Sequence, residues 1–137
     1  MNYTTLVIVL LSMVFCHIVD DFYMQGILAK LKQKEWWEQN APEPLYRLDY
    51  IVALGVHGMS WSFMILVPFM AWAIANGNDT LGYFLMGAFK INAVIHAVTD
   101  HLKANKRKIN LREDQLIHFA QIAVTFIVLS LRACEVI

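Results

Sequence analysis

Three histidine–aspartate pairs recur in this chain at one spacing. His17 and Asp21 stand four residues apart in HIVDDFYMQ, as do His96 and Asp100 in HAVTD. Asp114 and His118 repeat the spacing in reversed order in DQLIH. On an α-helix, positions i and i+4 lie one above the other on the same face, so each pair presents an imidazole and a carboxylate together. His57 adds a fourth imidazole, and Asn92 lies one turn before His96 on the same stripe. Such a nitrogen and oxygen donor set suits Zn, Mn or non-haem Fe, whereas Cu(I) prefers sulfur. A bound divalent ion brings its water within reach of deprotonation near neutral pH, and a spare carboxylate then serves as general base. Asp21, Asp100 and Asp114 are the candidates for that base. One tetrahedral ion consumes three or four protein ligands. The seven residues therefore leave room for a second ion, a base, or carboxylates that orient the ligating histidines. Gln25 and Gln115 are placed to orient ligands or substrate.

Other chemistries fit less well. Haem takes axial histidines without so many carboxylates. Ser60 and Ser62 lie near His57 but form no nucleophile elbow. Cys16 and Cys134 sit in apolar segments near opposite ends of the chain, with no zinc-type spacing. They read as small buried apolar residues. Asp20 points about 100° away from Asp21 on a helix and reads as a helix-end or solvent residue. His101 reads as interfacial.

The elements that position these residues are membrane helices. Of the 137 residues 58% are hydrophobic and 16% charged, against ~25% charged in soluble domains. The net charge of zero supplies no basic field for nucleic acid. Four apolar segments, Tyr3–Met24, Tyr50–Ala75, Thr80–Leu102 and Asp114–Cys134, approach the ~20 residues that a bilayer span needs. The first is the least regular, because Thr4–Val19 alone is short. It lacks the basic start and the cleavage site of a signal peptide and reads as a retained helix. The predicted fold is all-α, a polytopic four-helix membrane bundle in one domain, residues 1–137, with an interfacial connection at about 25–49. Pro42 and Pro44 break that connection, and Trp36, Trp37 and Tyr46 suit an interfacial aromatic belt. Asn76–Asp79 is a turn signal. Lys30, Lys32, Lys34 and Arg47 occupy the first connection, and Lys103, Lys106, Arg107, Lys108 and Arg112 the third. The positive-inside rule places both in the cytoplasm and both termini outside. All seven candidates then fall in one layer near the cytoplasmic face, since segments three and four run in opposite directions.

Ionisable groups in spans are costly and face the bundle interior, paired or functional. The alternatives to metal are proton or ion conduction along the histidines and aspartates, and plain interhelical hydrogen bonding. The apolar outer halves, such as MILVPFMAW and TFIVLSL, argue against a channel through one protomer. A homo-oligomer remains open, and membrane lipid is the expected partner.

HIVDDFYMQ, VIHAVTDHLK and DQLIH together resemble a family of small phage and bacterial membrane proteins of unknown function. Its pattern is H-x-x-x-D-F-x-x-Q, an intermediate histidine, then H-x-x-x-D and D-Q-x-x-H. His17, Asp21, Phe22 and Gln25 match the first element, His57 the intermediate histidine, His96 and Asp100 the third, and Asp114, Gln115 and His118 the last. Asp20 departs from the pattern, where the family often has a small residue. More distantly the chain is similar to membrane-bound metal-dependent hydrolases. The resemblance implies a bacterial inner-membrane protein and no particular substrate. The expected function is hydrolysis of an ester or phosphoester at the cytoplasmic interface. The rival is a non-enzymatic metal-binding module that transports an ion or modulates a host membrane protein.

Overall fold

The computed structural model describes residues 1–134. Helix α1 (Tyr3–Ile18) starts where the Asn2 side chain accepts the Thr5 backbone N–H at 2.8 Å, which satisfies one of the orphan donors of a first turn. It continues into a π-helical turn, Val19–Met24, so the least regular apolar segment becomes a 22-residue span. Two short helices, α2 (Leu28–Leu31) and α3 (Lys34–Asn40), fill the first connection. Beyond them Pro44 opens a single 3₁₀ turn, Pro44–Tyr46. The long spans are α4 (Asp49–Asn76), α5 (Leu81–Ala104) and α6 (Leu111–Ala133). Gly77, with φ of 62°, caps α4 in the left-handed conformation that glycine adopts without a Cβ penalty. Asn110 and Glu113 form a reciprocal capping box at the start of α6, which fixes the helix start just before Asp114.

Four helices are long and apolar enough to cross a membrane. They close into a ring, with α1 against α4 and α6, and α5 against α4 and α6. The Met1 ammonium lies 3.5 Å from Cys134 Sγ, so the two described ends meet at one end of the bundle. At the other end the connections meet. The Lys34 N–H donates to Asn105 Oδ1, Asn105 Nδ2 donates to the Lys32 carbonyl, and Arg107 pairs with Glu35. The aromatic residues of the first connection fold on one another. Trp37 stacks on Tyr46 and donates its indole N–H to the Leu31 carbonyl.

Packing divides the bundle into two zones. The half near the described ends is apolar inside, with Met13, Ile65, Phe69, Leu81 and Leu129 buried together. The outward surface is also apolar: Leu11, Phe15, Ile74 and Val124 are all exposed, as a lipid-facing surface requires. Because lipid tails are as apolar as leucine, close packing and interhelical hydrogen bonds hold such a bundle together. The tightest approach lies at Gly58, where a Cβ would stand 2.6 Å from the Ala93 carbonyl oxygen. Ser62 Oγ donates to the Phe89 carbonyl one turn along the same seam. Pro68 lies inside α4, which membrane helices tolerate where neighbours re-satisfy the backbone. Cys134 differs from expectation. It is exposed beyond the packed part of α6, and Cys16 is only half-buried, since α1 turns it partly toward the outer surface.

Candidate metal centre

The second zone is polar. His17, His57, His96, Asp100, Asp114 and His118 are at most 1% exposed, and Asp21 is 6% exposed. Three overlapping triads converge there: Asp21–His57–His96, His96–Asp100–His118 and Asp21–Asp114–His118. The ligand atoms of each lie within 4.8 Å of one another. His57 Nε2 stands 3.4 Å from Asp21 Oδ1 and 3.5 Å from Asp100 Oδ2. His118 Nε2 stands 3.4 Å from Asp114 Oδ1 and 3.8 Å from Asp100 Oδ1. Such separations fall within the ~4.2 Å that two metal–nitrogen or metal–oxygen bonds of ~2.1 Å can span.

Neighbouring amides fix which nitrogen faces the centre. Gln121 Nε2 donates to the backbone carbonyl and Oδ1 of Asn92, so its Oε1 is left to accept from His118 Nδ1–H at 3.2 Å. His118 is thereby held as the tautomer with a bare Nε2. That nitrogen and the Asp100 and Asp114 Oδ1 atoms are buried without hydrogen-bond partners, as are both ring nitrogens of His96. Bare nitrogen and carboxylate lone pairs facing one another repel unless a cation or a proton lies between them. Buried polar atoms orphaned in this way are costly, and here they gather at one place.

His17 occupies a different position. The Trp61 indole N–H donates to His17 Nδ1 at 2.8 Å, and His17 Nε2–H donates to Gln115 Oε1 at 3.1 Å. Both ring nitrogens are therefore engaged by protein, and His17 belongs to none of the three triads. The Gln115 amide then donates to Asp21 Oδ2 at 2.8 Å and Asp114 Oδ2 at 3.1 Å. Gln25 Nε2 donates to Asp21 Oδ1 at 2.7 Å and also to the Asp21 carbonyl. Both glutamines thus orient Asp21, as their positions suggested.

Asp20 corrects the sequence reading. It stands just past the end of α1 but is only 1% exposed and is not a solvent residue. Its Oδ1 accepts from Ser60 at 2.6 Å, and its Oδ2 lies 3.8 Å from His57 Nδ1. The wider π turn carries the chain past α4 with both aspartates turned inward. Single π turns gather at functional sites. Asp20 stands behind His57 as an outer carboxylate, the arrangement that orients a ligating imidazole.

Three participants were not anticipated. Lys32 is 5% exposed and pairs with Asp100 at 2.5 Å, and Lys103 pairs with Asp114 at 2.5 Å. The sequence treats both as solvated loop cations. Trp61 is fully buried. It stacks on His96 at 4.4 Å, and His96 stacks on His118 at 4.1 Å, so Trp61 floors the centre and seals it from the apolar half. His101 stacks on Tyr50 outside the cluster.

The charges decide what can occupy the centre. Asp20, Asp21, Asp100 and Asp114 contribute four negative charges, and Lys32 and Lys103 two positive ones. With neutral imidazoles the layer carries two excess negative charges, which one divalent cation balances. Gln121→Leu should weaken metal binding about 10–100-fold by releasing the His118 tautomer, read by competition with a chromogenic chelator. An unchanged affinity would show that Gln121 sets nothing at the centre.

Comparison of the chain with protein-family models, with curated proteins and with solved structures gives no match.

Proposed function

We propose that the chain is a divalent-metal-dependent hydrolase of the bacterial inner membrane, acting on an ester or phosphoester, with its metal layer near the cytoplasmic face and both termini outside. The observation that carries this reading is the convergence of imidazoles and carboxylates from the π turn, α4, α5 and α6, with orphaned atoms on His96, Asp100, Asp114 and His118, in a layer two negative charges in excess. The donors are mainly nitrogen and oxygen, which favours Zn, with Mn or Fe as alternatives.

Any two triads have one residue in common. The layer's charge is balanced by one divalent ion, which any one of the three triads would hold with the other two nearby. Asp100 remains beside His57 and His118, near enough to act as a ligand or as the general base for a metal-activated water. His17 acts through Gln115 and positions Asp21 and Asp114.

The test is elemental analysis of the detergent-purified protein, expressed with metal in the medium. Wild type should carry Zn, Mn or Fe, and His96→Ala and Asp114→Ala should lose it. A metal-free wild type sinks the reading. A metal-loaded protein should hydrolyse bis-p-nitrophenyl phosphate or a p-nitrophenyl ester in a chelator-sensitive way. One observation favours a non-enzymatic metal module as the second reading: the layer is closed, and Lys32 and Lys103 already cap two of its carboxylates. Structural sites are closed in this way, and catalytic sites keep a position open. Metal retained through exhaustive assay without turnover would select that module.

A further inference from the structure

A groove of about 600 Å³ runs between α5 and α6, from Ile95 and Ile117 near the metal layer to Tyr83 and Leu129 toward the far end. This is within the volume range of ligand sites. Its walls are almost wholly apolar, and its buried polar lining is Asn92, Gln121 and Thr125. Asn92 Nδ2 donates to Thr125 Oγ1 at 2.8 Å, which leaves the Thr125 hydroxyl its own proton to donate. Gln121 in turn holds His118. One residue therefore separates the groove from a metal-facing imidazole.

Setting and lining choose the occupant. From Gln121 to Leu129 is eight helical steps, ~12 Å, within the ~15 Å hydrocarbon depth of one leaflet and a length that one aliphatic chain spans. The groove lies in membrane-spanning helices, so the membrane itself supplies such chains.

We infer that the α5–α6 groove binds one aliphatic chain of a membrane amphiphile, with the polar linkage of that amphiphile toward Asn92, Gln121 and Thr125. This rests on the hydrolase reading for its chemistry, and makes the substrate a chain-bearing ester or phosphoester. The groove and its polar floor supply the selection: a water-soluble ester lacks the chain, and a plain hydrocarbon lacks the linkage.

The probe is phosphatidylglycerol with a diazirine at the end of one acyl chain, doped into phosphatidylethanolamine–phosphatidylglycerol nanodiscs that hold the full chain. After irradiation, adducts mapped by peptide mass spectrometry should fall several-fold more on the groove walls, such as Ile91 and Val124, than on Leu11 and Phe15 of α1, which are equally open to lipid. Gly87→Leu combined with Ala120→Leu fills the groove, since a Cβ at Gly87 meets nothing within 4 Å. That variant should lose the excess labelling while its metal content stays unchanged. Labelling spread evenly over all lipid-facing helices, or unchanged in the filled variant, overturns the inference. So does a Val124→Cys protein that forms a disulfide dimer and is thereby protected, because a second copy would then cover the groove. The wild-type map needs no variant to fold. Groove labelling in a metal-free wild type upholds the groove and removes only the hydrolytic reading, whereas even labelling with metal intact removes only the groove.

Discussion

Replacing Lys32 with methionine is expected to make the fold depend on metal. In the wild type the Lys32 ammonium reaches from the first connection into the polar layer and neutralises Asp100 at 2.5 Å. Breaking a buried ion pair by deleting one partner costs about 3–5 kcal/mol, because the other charge remains in a medium that solvates it poorly. Without Lys32, the carboxylate of Asp100 faces His57, His96 and His118 and no ammonium closer than Lys103, 3.9 Å away. A chelator-treated Lys32→Met protein should therefore unfold well below chelator-treated wild type on a thermal ramp in detergent. Metal should restore much of the difference, since a ligand at a hundred times its Kd adds ~2.7 kcal/mol. The sign for affinity is the opposite. Lys32 competes with an ion for Asp100, so its removal should tighten metal binding, and a chelator competition titration reads this directly. Unchanged chelator sensitivity together with unchanged affinity would place Lys32 outside the energetics of the centre. A merely destabilised protein would lose metal, and only competition for Asp100 predicts a gain.

The four spans were legible because an apolar run of about 20 residues has few other uses, and their ends were marked by proline, glycine and asparagine. The i, i+4 pairing was legible for the same reason. Helical geometry is fixed, so His96 with Asp100 and Asp114 with His118 had to share faces. Asp20 was misread because its placement assumed α-helical rotation through Val19–Met24, where the chain adopts a π turn. No local signal in VDDFYM announces that turn. Lys32 was misread for a different reason. Its neighbours are polar, and only the tertiary meeting of the two connections at Asn105 turns it inward. Trp61 and Gln121 were within reach of the same spacing argument, standing four residues after His57 and three after His118. A glutamine that fixes the tautomer of a buried histidine belongs to the candidate site as much as the histidine does, and the i, i+3 relation was its signal. The role of His17 required the structure, because only the indole of Trp61 and the amide of Gln115 show that both of its nitrogens are engaged.

Gly58→Ala is expected to disable the centre without touching a ligand. At this position α4 and α5 approach so closely that a Cβ would stand 2.6 Å from the Ala93 carbonyl oxygen and 3.3 Å from the Ala97 Cβ. The obstacle is backbone, which cannot swing aside as a side chain does. Relief to the ordinary contact range, which begins at 3.4 Å, requires the two helices to part by nearly 1 Å. His57 precedes Gly58 on α4, and His96 lies one turn beyond Ala93 on α5, so the parting falls on two members of one triad. Alanine is favoured over glycine in a helix by ~1 kcal/mol, while overpacking costs ~1–3 kcal/mol; the stability change should therefore be a modest loss. The metal change should be large, because donors already 3.4–3.8 Å apart cannot follow helices that separate and still share an ion. Gly55→Ala is the control: it lies on the same helix with nothing within 4 Å of its Cβ and should gain slightly in stability with its metal intact. Measured together, thermal unfolding and metal content separate the two effects. A Gly58→Ala protein with full metal content would show that the α4–α5 seam does not set the spacing of the donors. Loss of metal with only a small drop in unfolding temperature would show that this glycine serves the site before it serves the fold.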